Sequence, residues 1–125
     1  MDICLGLALA SSTLVQLPSP LLLSWEHSVE HVRLQEQWQA SERGLVLSEA
    51  TVESPAGAGV DLPADAHRVA GGWSFRPQLP PQPRVELANS RFAGGYRVCW
   101  TGGCAKLADL VGGVDRPVTL TVCPS

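Results

Sequence analysis

Five consecutive residues, His27-Ser28-Val29-Glu30-His31, carry the side chains in this chain that are best suited to chemistry. They fit the pattern H-x-x-E-H, in which inverted zinc proteases place two zinc-binding histidines and a catalytic glutamate on one helix. In a β-strand the two histidines would instead lie about 13 Å apart, at about 3.3 Å per residue. Zinc ligands stand about 2 Å from the metal. The zinc-hydrolase interpretation therefore requires a helix at residues 27–31.

The flanking sequence favours strands over a helix at this point. Apolar residues recur at alternate positions from Leu21 to Val29, and largely so again from Val32 to Ala40. Because strand side chains alternate between two faces, this pattern predicts two strands. The phase slips by one residue at Glu30-His31, which predicts a hairpin turn there. Odd positions of the first strand and even positions of the second then share one sheet face.

Three polar residues are expected on that otherwise apolar face. The predicted hairpin puts His27 opposite or diagonal to Glu36, within side-chain reach. Glu49 follows Leu45 and Leu47 at alternate positions, so it is expected to join them from the third strand. One interpretation is a polar cluster that binds a ligand or responds to pH. The other, which we favour, is a hydrogen-bonded polar pair that fixes strand register.

Other candidate sites match known chemistry less well. Ser28 lacks the G-x-S-x-G turn of serine hydrolases, and in a strand it points away from His27. The segment Gly57-Ala58-Gly59 lacks the lysine and the spacing of a phosphate-binding loop, and its small residues suit close backbone packing. The cysteines lack C-x-x-C spacing and have no histidine nearby in sequence. We therefore predict no metal site and no cofactor.

The cysteines point to a disulfide instead. Cys99 and Cys104 enclose Trp100-Thr101-Gly102-Gly103, a sequence typical of a hairpin turn. Such a turn brings the two Cβ atoms close, so a disulfide is predicted in an oxidising compartment. The alternative is that the thiols are buried as small apolar groups. Cys123 is then left over, either buried or free, and Cys4 lies in the apolar N-terminal run.

The N-terminal residues 3–23 carry no charge. The run begins with a stretch as long as the apolar region of a signal peptide, and as a whole it is about the ~20 residues that span a bilayer. Against this, Met1-Asp2 supplies no basic residue, and Pro18 and Pro20 would break a helix. We expect a leader, either signal or membrane anchor, over residues 1–20 and a single domain over residues 21–125. The alternative is an apolar first strand packed in the core.

Length and composition bound the fold. A chain of 125 residues forms one domain, and 45% hydrophobic against 17% charged residues excludes a disordered chain. A net charge of −3, with both signs mixed along the chain, argues against nucleic-acid binding. Glycine and proline are scattered between apolar stretches, as in all-β domains. We predict a mainly antiparallel all-β sandwich or partly open barrel of about seven or eight short strands, with at most one short helix, at residues 107–111.

Several short segments, taken in order, resemble the bacterial domain of unknown function 1850 family. They are Leu23-Ser24-Trp25-Glu26-His27-Ser28-Val29-Glu30, Glu36, Leu47-Ser48-Glu49, Ser54-Pro55-Ala56-Gly57-Ala58-Gly59, Pro63 and Gly72-Trp73. The resemblance covers about residues 21–80. The chain departs from the family pattern at Trp25, where tyrosine is usual, and at Pro55-Ala56.

The resemblance implies a small exported or membrane-anchored protein, encoded beside or fused to TRAP-type solute transporters of the TAXI subtype, with no established catalytic activity. It marks a set of motif positions without a known role: His27, Ser28, Glu30, Glu36, Glu49, Gly57 and Gly59. We therefore expect a non-enzymatic accessory domain of the cell envelope, periplasmic or anchored through residues 3–23, that contacts a membrane or solute-binding component of such a transporter. The alternatives are a small-ligand or metal-binding domain using His27, Glu36 and Glu49 and, remotely, an H-x-x-E-H hydrolase.

Overall fold

The computed structural model describes residues 1–8, 12–27, 32–53, 63–90 and 95–124. Within these ranges it contains eleven strands and one short helix. The strands are β1 (Asp2–Leu7), β2 (Val15–Pro18), β3 (Leu21–His27), β4 (Val32–Ser41), β5 (Gly44–Glu53), β6 (His67–Val69), β7 (Gly72–Phe75), β8 (Val85–Leu87), β9 (Arg97–Trp100), β10 (Gly103–Lys106) and β11 (Val118–Val122). The helix α1 (Leu107–Val111) follows β10 directly.

The strands form two antiparallel sheets that pack as a sandwich. The small sheet has the order β2-β1-β11-β8, and the large sheet has the order β10-β9-β3-β4-β5-β7-β6. This confirms the predicted all-β, mainly antiparallel fold with one short helix. The described part holds eleven strands rather than seven or eight, chiefly because the N-terminal residues contribute β1 and β2.

The core lies between the two sheets. From the small sheet, Ile3 and Leu5 of β1 and Val118 and Leu120 of β11 have no exposed surface. From the large sheet, the following side chains pack against them: Leu21, Leu23, Trp38, Leu45, Leu47 and Val98. Burying one side chain of this size contributes about 1.5–3 kcal/mol. Each sheet therefore depends on the other to cover its apolar face.

Residues 1–20, which we expected to form a leader, contribute β1 and β2 to the small sheet. β1 pairs with β11 on one side and with β2 on the other. The run 3–23 is uncharged because it supplies core side chains from three strands, as in the alternative of an apolar first strand. In the described part of the chain, no helix is long and apolar enough to cross a membrane.

All four cysteines are paired. Cys99 and Cys104 are direct partners across β9 and β10 and form the predicted disulfide, with their Cα atoms 4.0 Å apart. Cys123 is not left over, since it is bonded to Cys4 across 119 residues of sequence and ties the end of the chain to β1. In the chain-entropy account, closing so long a loop contributes about 5 kcal/mol and the short loop about 2 kcal/mol.

The β3–β4 hairpin has the predicted phase. Odd positions of β3 pair with even positions of β4, from Leu21 opposite Trp38 to His27 opposite Val32, so these residues share one face. The predicted turn at Glu30-His31 lies in the connection 28–31, outside the described residues. Phase and register are separate properties, however, and the register of this pair differs from the expected one.

Candidate functional site

Among the described residues, the carboxylate on the inner face of the large sheet is that of Glu36. In the strand registers Glu36 lies opposite Leu23 on β3 and opposite Ala50 on β5. Leu23 pairs with Val98 on β9, and Ala50 pairs with Phe75 on β7. Glu36 is therefore the polar member of an apolar row that crosses five strands. It is partly buried, whereas Trp38, two residues along β4, is only 4% exposed.

The next row on this face is rich in aromatic side chains. Trp25 pairs with Leu34, Leu34 with Val52, and Val52 with Trp73. Trp25 also contacts Tyr96, the residue before β9, with ring centroids 5.2 Å apart and the planes tilted by 53°. The inner face thus continues past the fully buried core as a partly buried aromatic margin, with Glu36 between the two regions.

Burial sets the electrostatics around Glu36. It raises the pKa of the Glu36 carboxyl above its ordinary value, while a hydrogen bond donated by Trp38 Nε1 to Glu36 Oε1, at 3.3 Å, acts in the opposite direction. The pKa of the Tyr96 hydroxyl is also raised, first by burial and second by the negative charge of Glu36. The acid and the tyrosine therefore influence each other across the sheet.

The expected pairing of His27 with Glu36 is wrong. Glu36 lies opposite Leu23, and His27 lies opposite Val32. Leu23 and His27 are four residues apart on β3, about 13 Å in a strand. A two-residue turn at Glu30-His31 would have paired residue 29 with Val32. The connection is instead four residues long, 28–31, so the register moves by two residues while the faces stay the same.

Glu49 lies on the opposite, outer face of the sheet. The β4–β5 register shifts between Gln37, which pairs with Glu49, and Trp38, which pairs with Leu47. Ser48 is thus an extra residue in β5, a β-bulge, and it resets the alternation so that Leu47 faces inward and Glu49 outward. There Ser74 Oγ donates a hydrogen bond to Glu49 Oε1 at 2.7 Å. The expected convergence of His27, Glu36 and Glu49 is therefore absent.

The structure gives no side-chain positions for the remaining motif residues. Ser28, Glu30, Gly57 and Gly59 lie outside the described residues. His27 is the last residue of β3, so the helix required by an H-x-x-E-H zinc site does not begin there. Among the side chains that the structure describes, no three histidine, cysteine, aspartate or glutamate residues are grouped to hold a metal ion.

Sequence analysis missed a cavity beside Tyr96. Its volume is about 410 Å³, and its walls include Asn89, Tyr96, Arg97, Lys106 and Val114. Arg97 and Lys106 are direct partners across β9 and β10. The sequence held a signal for this pairing, because a turn centred on residues 101 and 102 places residue 97 opposite residue 106. Nothing in the sequence indicated that the pair would border a cavity.

Comparison with known proteins identifies a family. A family profile described as "Domain of unknown function (DUF1850)" matches residues 21–107. The match begins with the first residue of β3 and contains the whole large sheet and β8, while β1, β2 and β11 lie outside it. No curated protein and no solved structure matches the chain. Since the matched segment spans well over half of its length, the chain belongs to the DUF1850 family.

Proposed function

We propose that this protein is a non-enzymatic accessory domain of the cell envelope that works outside the cytoplasm. The observation that carries the proposal is the pairing of all four cysteines in two disulfides. Disulfides form and persist in oxidising compartments such as the bacterial periplasm and are rare in the cytosol. The long-range Cys4–Cys123 bond also links β1 to the residue after β11, its antiparallel partner, so the fold itself benefits from oxidation.

The chemistry around Glu36 supports a role other than catalysis. Its carboxylate accepts a hydrogen bond from the Trp38 indole N–H, a donor that does not act as a nucleophile. The hydroxyl, thiol and amine nucleophiles of covalent enzymes are commonly activated by an adjacent base. In this protein the thiols are all held in disulfides. The carboxylate is suited to holding the Trp38 indole in place on the inner face rather than to activating a second group for reaction.

Within the envelope, we place the domain beside a TRAP-type solute transporter, in contact with its membrane component or its solute-binding protein. The support is membership of the DUF1850 family together with the association that the resemblance implies. A disulfide-stabilised sandwich suits such a role because it presents rigid surfaces without needing a cofactor.

The compartment is tested by trapping thiols in intact cells that express the protein from its own gene. Cells are quenched with acid, and free thiols are labelled with a maleimide polymer before and after reduction. We expect labelling of the four cysteines only after reduction. The double variants Cys4→Ser/Cys123→Ser and Cys99→Ser/Cys104→Ser assign the protected pairs. Four thiols that react before reduction would contradict an oxidising location.

The partner is tested by photo-crosslinking in the same cells. A photoreactive amino acid replaces Gln39, exposed on the outer face of the large sheet, or Glu86, exposed on β8 of the small sheet. We expect at least one position to yield a crosslink that mass spectrometry identifies as a transporter component. Cells lysed and mixed before irradiation provide the control for chance contact. Absence of such a crosslink from both positions in intact cells would remove the transporter association.

A further inference from the structure

The Cys99–Cys104 disulfide lies on the outer face of the large sheet, at one of its edges. Val98 has no exposed surface and pairs with Ala105, so the cysteines next to this inward pair point outward. β10 is the edge strand, and no strand of the described chain pairs with its other side. Cys104 is exposed and Cys99 is half-buried. A thiol in solution can therefore reach this bond while the protein is folded.

Two cations occupy the next pair of positions on the same face. Arg97 precedes Cys99 by two residues. Lys106 follows Cys104 by two residues, so each cation is about 7 Å from a cysteine along its strand. Arg97 and Lys106 are direct partners in the β9–β10 ladder, and both are exposed. Because like charges in directly opposite positions destabilise a sheet, this positive pair stands beside the disulfide at a local cost in stability.

No described carboxylate forms an ion pair with either cation. The ion pair in the described part of the chain joins Arg33 to Glu53, at 4.0 Å. Glu26 lies on the same outer face, but its partner across the β3–β4 ladder is Arg33. The field of Arg97 and Lys106 therefore remains available to an anion near the disulfide.

The Cys4–Cys123 disulfide has the opposite surroundings. Cys4 is only 5% exposed, and its strand is paired on both sides, with Gln16 on β2 and Thr121 on β11 as direct partners. The residue two positions along the same face is Asp2, an acid. A negative charge there disfavours both an incoming thiolate and a departing one. The two bonds therefore differ in access and in the sign of the nearby charge.

We propose that Cys99–Cys104 is an exchange site for a small anionic thiol, and that Cys4–Cys123 is a structural bond that does not exchange in the folded protein. Exposed disulfides are the labile or regulatory ones among protein disulfides. The positive pair attracts an anionic thiol and stabilises the cysteine thiolates that exchange releases. The inference rests on the two disulfides themselves and not on the proposed transporter partner.

The exchange proceeds by two thiolate displacements. The thiolate of a first thiol attacks Cys104 Sγ, on the more exposed residue of the bond, and Cys99 leaves as a thiolate. A second thiolate attacks the sulfur of the first reagent in this mixed disulfide, and Cys104 leaves as a thiolate. The two reagent thiols lose two electrons and become one disulfide, and their two protons end on Cys99 and Cys104. In an oxidising compartment the protein disulfide forms again.

The β9–β10 hairpin is held in place by contacts other than the disulfide. Val98 and Leu107 are buried in the core, at 0% and 1% exposure. The Leu107 N–H donates a hydrogen bond to the Tyr96 carbonyl oxygen at 2.9 Å, and Trp100 packs against the core at the other end of β9. We therefore expect the bond to open and close without unfolding of the sheet.

The test uses the full-length oxidised protein with mercaptoethanesulfonate, an anionic thiol, and mercaptoethanol, a neutral thiol of similar size. Reactions are quenched with acid, and alkylation followed by mass spectrometry measures the rate at each disulfide. We expect Cys99–Cys104 to react while Cys4–Cys123 stays intact. Arg97→Gln/Lys106→Gln should lower the ratio of the anionic to the neutral rate by about threefold at about 0.1 M salt, because it removes two charges about 7 Å from the bond.

Arg76→Gln/Arg84→Gln is the matched control, since it removes two exposed cations elsewhere and changes the net charge equally. It should leave the rate ratio unchanged. Salt at about 1 M should lower the ratio in the parent protein as the double variant does, and this measurement decides the outcome if the double variant does not fold. The proposal is overturned if Cys4–Cys123 reacts as fast as Cys99–Cys104, if neither bond reacts until urea unfolds the protein, or if high salt or removal of the two cations leaves the ratio unchanged.

Discussion

Glu36 and Tyr96 are coupled across the inner face of the large sheet, and the charge of the carboxylate raises the pKa of the tyrosine hydroxyl. Glu36 lies on β4 and Tyr96 precedes β9, with β3 between them. Charges on opposite sides of a strand interact more strongly where water is partly excluded. The coupling therefore marks the margin of the core as a region of low polarity that contains an ionisable pair.

The coupling can be measured because Tyr96 is the single tyrosine of the chain. Tyrosinate absorbance during alkaline titration reports on this residue alone. We expect Glu36→Gln to lower the pKa of Tyr96, because the nearby negative charge is removed. The pKa should remain above the ordinary tyrosine value, since burial is the larger cause of the shift. Glu49→Gln, on the outer face, is the control. A Tyr96 titration identical in Glu36→Gln and the parent protein would contradict the coupling.

Glu36 also makes stability depend on pH. Because burial raises the pKa of folded Glu36, the folded protein holds this proton more tightly than the unfolded chain, whose carboxyl has a pKa of 4.5. Stability should therefore fall as the pH rises from about this value through the raised pKa, and then level off. Glu36→Gln keeps an oxygen acceptor for Trp38 Nε1 but has no charge to bury.

We expect Glu36→Gln to gain stability relative to the parent protein as the pH rises through that window. Urea unfolding at a series of pH values between 4 and 8 measures the difference in free energy of unfolding. The difference should be smallest at the acid end and constant once Glu36 is ionised. Parallel stability curves for the two proteins over the whole series would show that burial of Glu36 has no such cost.

The sequence predicted the faces of the β3–β4 hairpin better than its contacts. Alternation placed Leu23 and Glu36 on the same side as Trp25, as found. It did not place His27, because register depends on the length of the connection, and a period-two pattern is unchanged when a strand slides by two residues. The sequence also contained no indication of the β-bulge at Ser48, because a small polar residue at this position fits an ordinary alternating strand pattern.

The N-terminal strands were missed for a different reason. In β1 the inward Ile3 and Leu5 alternate with Cys4 and Gly6, which are also uncharged, so no polar face marks the strand. An uncharged run of this length satisfies the criteria for a leader equally well. The Cys4–Cys123 pairing joins residues 119 positions apart and is not deducible from one sequence, whereas Cys99–Cys104 was, because one turn brings the two together.

Two leucines of the N-terminal run differ in burial, and comparing their truncation tests whether β1 is part of the core. Leu5 has no exposed surface, whereas Leu14 is 48% exposed. Leu5→Ala should lower the free energy of unfolding by about 2–5 kcal/mol, because it leaves a cavity between the sheets. Leu14→Ala should change it by no more than about 0.5 kcal/mol. Urea unfolding of both variants measures the contrast. Equal, small effects would mean that residues 2–7 do not contribute to the folded core.

The bulge at Ser48 makes a deletion tolerable at one position of β5. Without Ser48, Leu47 opposite Trp38 is followed directly by Glu49 opposite Gln37, which is a regular antiparallel ladder. No side chain changes face. The deletion removes the hydrogen bond from Ser48 Oγ to the Gln37 carbonyl oxygen, 3.1 Å long, and a bond of this kind contributes about 1 kcal/mol.

Deletion of Val46, two residues earlier in β5, is the matched control. The chain on one side of the gap must then shift by one residue, which turns the fully buried Leu45 to the outer face or forces a new bulge in β4. We expect the Ser48 deletion to unfold cooperatively with a loss of about 1 kcal/mol, and the Val46 deletion to lose about 2–5 kcal/mol, as for truncation of a buried leucine. If both deletions were equally damaging, Ser48 would not be an extra residue, and the outward orientation of Glu49 would need another cause.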